Sequence, residues 1–169
     1  PTVDAMTAAI RVEDVHYPRT RLLVLEQTHN MAGGRVMPQE DFDSLCDAAH
    51  AHGLQVHVAG ARLMNAAVAR ERPVSELVAR ADTLSLCLSK GLGAPVGSVL
   101  AGPEAFVLEA RRARKAFGGG MRQAGILAAA GLLALAASQP SAPTAGLTLN
   151  KAQGSSENNA SLTQVVRAN

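Results

Sequence analysis

Lys90 follows the apolar run Leu84-Ser85-Leu86-Cys87-Leu88 and opens onto glycines in Ser89-Lys90-Gly91-Leu92-Gly93-Ala94-Pro95-Val96-Gly97. A strand of this composition delivers its last residues to the carboxyl end of a sheet, where α/β proteins hold ligands. Gly91 and Gly93 let the backbone approach a planar cofactor closely. An amine partly withdrawn from water has the lowered pKa that Schiff-base formation needs, so Lys90 is a candidate nucleophile. Three further groups stand near the ends of apolar runs: His29, Arg62 and Arg122. A neutral imidazole exchanges a proton near pH 7. A guanidinium is a planar, two-pronged donor for carboxylate or phosphate. Taken singly, His29 is a loop histidine, Arg62 a surface ion pair near a helix start and Arg122 a helix-end cap. Cys46 and Cys87 have no metal-ligand spacing and read as reduced packing thiols, with no metal site.

The elements that must position these groups alternate in type. Thr2 caps a short helix with Ala5, Met6, Ala9 and Ile10 on one face. The run 21–27 carries four consecutive apolar residues and reads as a strand covered on both faces. Pro38 starts a helix whose stripe is Phe42, Leu45, Ala49 and His52, with Gly53 beyond its end. A strand over 54–58, short helices over 61–69 and 74–81, and a buried strand over 83–88 follow. A further short strand over 97–101 precedes a helix opened by Pro103, with Phe106, Ala110, Ala113 and Phe117 on one face and Arg111, Arg112, Arg114 and Lys115 on the solvated remainder. The Ala- and Leu-rich run 124–137 reads as a buried helix. Short strands alternating with helices predict an α/β domain with a mostly parallel sheet.

Composition removes several classes of function. The chain has 169 residues, 47% hydrophobic and 18% charged, which is enough for one domain with a core. Its net charge of +2 is dispersed, and one Tyr, three Phe and no Trp leave almost no stacking platform, so nucleic acid is not an expected partner. The longest uncharged apolar run, 124–137, is shorter than the ~20 residues a membrane helix needs, and no membrane association is expected. The chain opens at Pro1 without a basic-then-apolar leader, which predicts a cytoplasmic protein. From Ser138 the sequence becomes rich in Ser, Ala, Thr, Asn, Gln and Pro, and 138–169 reads as a disordered, divergent tail.

Four segments carry a resemblance. Glu26-Gln27-Thr28-His29-Asn30-Met31-Ala32-Gly33-Gly34, His57-Val58-Ala59-Gly60-Ala61-Arg62-Leu63-Met64-Asn65-Ala66, the Lys90 segment and Gly118-Gly119-Gly120-Met121-Arg122-Gln123 occur in order within residues 1–137. Together they resemble the signatures of threonine aldolases. The resemblance implies the pyridoxal-phosphate (PLP) dependent, aspartate-aminotransferase-like fold, with residues 1–137 forming an incomplete part of its large domain. It implies cleavage of L-threonine or L-allo-threonine to glycine and acetaldehyde, and assembly as a homodimer or homotetramer. Matched residue by residue, Lys90 holds PLP as a Schiff base, Arg62 grips the carboxylate of the small amino-acid substrate, His29 lies near the substrate hydroxyl and helps remove its proton, and Arg122 lies near the cofactor phosphate.

The chain also departs from that pattern. Ala59 stands where the family carries an aspartate that pairs with the pyridine nitrogen of PLP and keeps the ring an electron acceptor. Pro1 aligns inside the large domain, so the phosphate-binding loop and the residue stacking on the ring are expected upstream of it. The tail does not resemble the family's small C-terminal domain. Two readings follow: a PLP-dependent retro-aldol lyase, or a truncated and catalytically impaired member of the same family.

Overall fold

Local caps and breakers decide where the helices begin and end. The computed structural model describes residues 1–138, with the short segments Thr148–Leu149 and Val166–Arg167. Helix α1 spans Val3–Ala8, and the Thr2 Oγ1 accepts the Ala5 N–H at 3.2 Å, as its position predicts. Helix α2 spans Gln39–Ala51 behind Pro38 and stops at Gly53, whose φ of +71° is the left-handed conformation that glycine adopts without strain. Its buried stripe is Phe42, Leu45, Cys46 and Ala49. His52, expected on that stripe, is instead exposed at the helix end, with Nδ1 2.8 Å from the Ala48 carbonyl; Cys46 fills the stripe in its place.

The chain divides into two compact units, Pro1–Asp82 and Thr83–Asn169. In the first, β1 (Leu22–Glu26) and β2 (Gln55–Gly60) pair in parallel, from Leu22 with Gln55 to Glu26 with Ala59. One face of the pair carries Leu25, Val56 and Val58, all buried, and α2 packs on β2. Helices α3 (Leu63–Arg70) and α4 (Val74–Leu77) complete the unit. The two-sided coverage expected for β1 is not found. Leu22 and Val24, on its second face, are 51% and 53% exposed. A run of four apolar residues is compatible with one covered face or two, and the helices that pack here lie against the first.

In the second unit, β3 (Thr83–Cys87) and β4 (Ser98–Ala101) pair antiparallel, Leu84 with Ala101 through Cys87 with Ser98. Helices α5 (Glu104–Ala116) and α6 (Gly125–Ala137) follow. Three expectations about burial change here. Strand β3 is half-buried along its length, the fully buried residue being Leu88 just beyond it. In α5 the buried residue is Val107, while Phe106 borders on exposure and Phe117 is 90% exposed. In α6 only Gly131 and Leu135 are buried, and Ile126 and Leu133 face outward. A helix apolar on all sides is buried only where neighbours surround it, and composition does not supply the neighbours. The segments Thr148–Leu149 (β5) and Val166–Arg167 (β6) pair antiparallel. The remainder of the tail expected over 138–169 lies outside the described residues after Ser138.

Short strands alternating with helices, one pair parallel and one antiparallel, make the α/β class expected from the sequence the one observed among the described residues.

Candidate functional site

Parallel pairing in the first unit puts three of the candidate residues at the same end of two neighbouring strands. β1 ends at Glu26, in register with Ala59 of β2, so these two side chains emerge on one face. His29 lies just past β1, where its Nδ1 accepts the Ala32 N–H at 3.2 Å and caps the 3-10 turn Asn30–Ala32. Arg62 lies just past β2, half-buried at the start of α3, and its carbonyl accepts the Asn65 and Ala66 N–H groups. This is the carboxyl end of the strands, the side on which α/β sheets bind ligands.

Glu26 is the group that reading the sequence for chemistry passed over. Its Oε1 accepts the Asn30 N–H at 3.3 Å, and its Oε2 lies 3.7 Å from His29 Nε2. Its signal in the sequence was only that it opens the first of the four family segments. Beside it lies a cavity of about 580 Å³, apolar apart from Thr20, Glu26 and His29. Gln27, buried behind the turn, donates to and accepts from the backbone of Met37 and so fixes the loop that follows. Burial lowers the pKa of His57, which shares its face of β2 with Ala59.

In the second unit Lys90 projects from a loop closed by backbone hydrogen bonds. Leu88 N–H donates to the Gly97 carbonyl at 2.9 Å, Ala94 N–H to the Leu88 carbonyl at 3.0 Å, and Gly93 N–H to the Lys90 carbonyl at 2.9 Å. Gly93 (φ +71°) and Gly97 (φ +113°) supply the turns these bonds require. Leu88, Ala94, Val99 and Leu135 form an apolar cluster in the same unit, with Leu92 packed against it. The loop is therefore anchored from below while Lys90 itself is exposed, and not partly withdrawn from water as expected, because the strand before it is only half-buried. Arg122 is exposed on a separate loop between α5 and α6, next to Gln123, whose φ is +49°.

Two of these side chains have the chemistry that PLP demands. An exposed primary amine on a fixed loop suits the cofactor's aldehyde, and an exposed guanidinium suits its phosphate. At position 59 the residue does not suit it, since a half-buried methyl offers nothing to a pyridine nitrogen. Among the described residues no group of His, Cys, Asp and Glu side chains could hold a metal ion. The Cys46 thiol is pushed up to about 12 by burial, and by Asp43, Asp47 and Asp82, with Arg80 opposing, which makes it unreactive. No described helix is long and apolar enough to cross a membrane.

Comparison with known proteins points the same way. Residues 1–167 match the model of the beta-eliminating lyase family. The chain is 48% identical over 140 residues to low-specificity L-threonine aldolase 1 of Arabidopsis thaliana, covering 82% of this chain and 39% of that protein. It is 46% identical over 133 residues to the low specificity L-threonine aldolase of Escherichia coli K12, covering 79% and 39%. Among solved structures, a Listeria monocytogenes protein provisionally named an L-allo-threonine aldolase superposes with a TM-score of 0.61 at 25% identity, covering 70% of this chain and 31% of that one. The chain thus spans about two fifths of the length of the curated relatives it matches.

Proposed function

Because this chain belongs to the beta-eliminating lyase family, we propose that it acts as a PLP-dependent, threonine aldolase-like lyase, cleaving L-threonine or L-allo-threonine to glycine and acetaldehyde. The observation that carries this reading is Lys90, exposed at the tip of a hydrogen-bonded loop directly after β3. Its support is the set of relatives named as threonine aldolases.

Each side chain has a separate task. Lys90 would hold the cofactor through its amine, and Arg122 would bind its phosphate. When bound, PLP supplies the electron sink that stabilises negative charge developing at the substrate Cα. Arg62, half-buried and fixed at the start of α3, takes the substrate carboxylate with two parallel hydrogen bonds. His29 meets the substrate hydroxyl. The protein works in the cytoplasm on a small amino acid, as a homodimer or homotetramer, within threonine breakdown and glycine formation.

Ala59 favours a second reading, that of an impaired member of the family. Losing a charge-assisted contact to the ring nitrogen costs about 2.7 to 4 kcal/mol of stabilisation, on the scale of a lost oxyanion donor. One titration separates the readings. Adding PLP to the protein should produce an absorption band that is missing in Lys90→Ala, followed by acetaldehyde release on adding threonine. Acetaldehyde release overturns the impaired reading; absence of any lysine-dependent band, or a band without acetaldehyde, overturns the active lyase.

A further inference from the structure

His29 has two ring nitrogens, and the structure gives each a different neighbour. Nδ1 accepts the backbone N–H of Ala32 at 3.2 Å, which spends its lone pair and leaves no place for a proton on that atom. Nε2 lies 3.7 Å from Oε2 of the Glu26 carboxylate. That distance is too long for a hydrogen bond but well within reach of charge. A lone pair facing a carboxylate is repelled, whereas an N–H facing it is attracted. The His29 and Glu26 side chains are 50% and 34% exposed, so the preference acts partly through water and partly beside the apolar lining of the adjoining cavity. Glu26 is itself held in place, since Oε1 accepts the Asn30 N–H.

We infer that Glu26 is a positioning residue: with the Ala32 N–H it holds His29 as the Nε2–H tautomer, so that His29 serves as a hydrogen-bond donor to substrate oxygen. A neutral imidazole in this setting has no free lone pair with which to take a proton. Its contribution is therefore to hold and polarise an oxygen, a narrower role than the proton removal that the resemblance to threonine aldolases implies. The catalytic consequence rests on the lyase reading above; the tautomer does not.

The test is nitrogen NMR on the full chain with ¹⁵N-labelled histidine, at a pH where the rings are neutral. His29 should show a protonated Nε2 and an acceptor Nδ1. His52 provides an opposite standard, because its Nδ1 lies 2.8 Å from the Ala48 carbonyl and must carry the proton. Glu26→Gln keeps an oxygen for Asn30 while removing the charge. It should turn the His29 signals into those of a tautomer mixture and lower kcat about tenfold, with KM within about twofold of the parent. If Glu26→Gln does not fold, Glu26→Asp retracts the carboxylate and should move the signals in the same direction. A protonated Nδ1 in the parent protein, or unchanged His29 signals in the folded variant, overturns the assignment. A parent protein that releases no acetaldehyde overturns the lyase reading instead and leaves the spectra to decide the tautomer.

Discussion

At the scale of single residues, Ala59 and its register partner Glu26 set two opposing demands. Ala59→Asp restores a carboxylate for the ring nitrogen, and kcat for threonine cleavage should rise about 100-fold, the smaller end of what one preorganised polar contact is worth. The same change sets two carboxylates side by side on neighbouring strands, which should cost about 0.2–1 kcal/mol in a urea titration. A gain in kcat with a small loss of stability is the expected pair of outcomes. His57, on the same face of β2, gives a pH dependence. Burial lowers its pKa below the ordinary 6.5, so between the folded-state pKa and about 6.5 the folded protein binds fewer protons than the unfolded chain. Stability should be at its full value above pH 6.5 and decline as the pH falls from there toward the folded-state pKa. Tm followed between pH 7.5 and 5 should fall, and less steeply in His57→Gln.

At the scale of elements, the loop after β3 depends on Gly97. Its φ of +113° is strained for any other residue, and an added Cβ would lie 3.4 Å from Leu88 Cδ1. Gly97→Ala should lower stability by about 1–3 kcal/mol and weaken PLP uptake, read as a higher PLP concentration at half-saturation of the absorption band. This loop was legible in the sequence because glycine, lysine and an apolar strand form a local pattern. So were the Thr2 cap and the stop at Gly53, whose causes lie within a few residues. What escaped depends on distant partners. That Glu26 sits beside Ala59 follows from the parallel register of two strands separated by a helix, and no local pattern encodes register. That His29 turns its Nδ1 to Ala32 depends on the 3-10 turn Asn30–Ala32, a conformation no residue pattern there signals. The burial of β3, α5 and α6 was overestimated for the same reason, since apolar content records only what a segment could bury.

At the scale of the whole molecule, both units display apolar side chains that no described neighbour covers. Leu22 and Val24 are half-exposed on β1, while Ile126 and Leu133 are 87% and 72% exposed on α6. Large apolar side chains exposed in pairs on one element favour association. Sedimentation velocity should show species heavier than 17.5 kDa growing with concentration, and Ile126→Lys with Leu133→Glu should reduce them. The exposed tip at Lys90 has a different consequence, for proteases. Trypsin cuts after free lysines in accessible loops, and Lys90–Gly91 is such a bond. A lysine joined to a cofactor no longer fits the protease. Cleavage at this one bond, followed by mass spectrometry, would therefore count the fraction of molecules that carry PLP, with or without turnover.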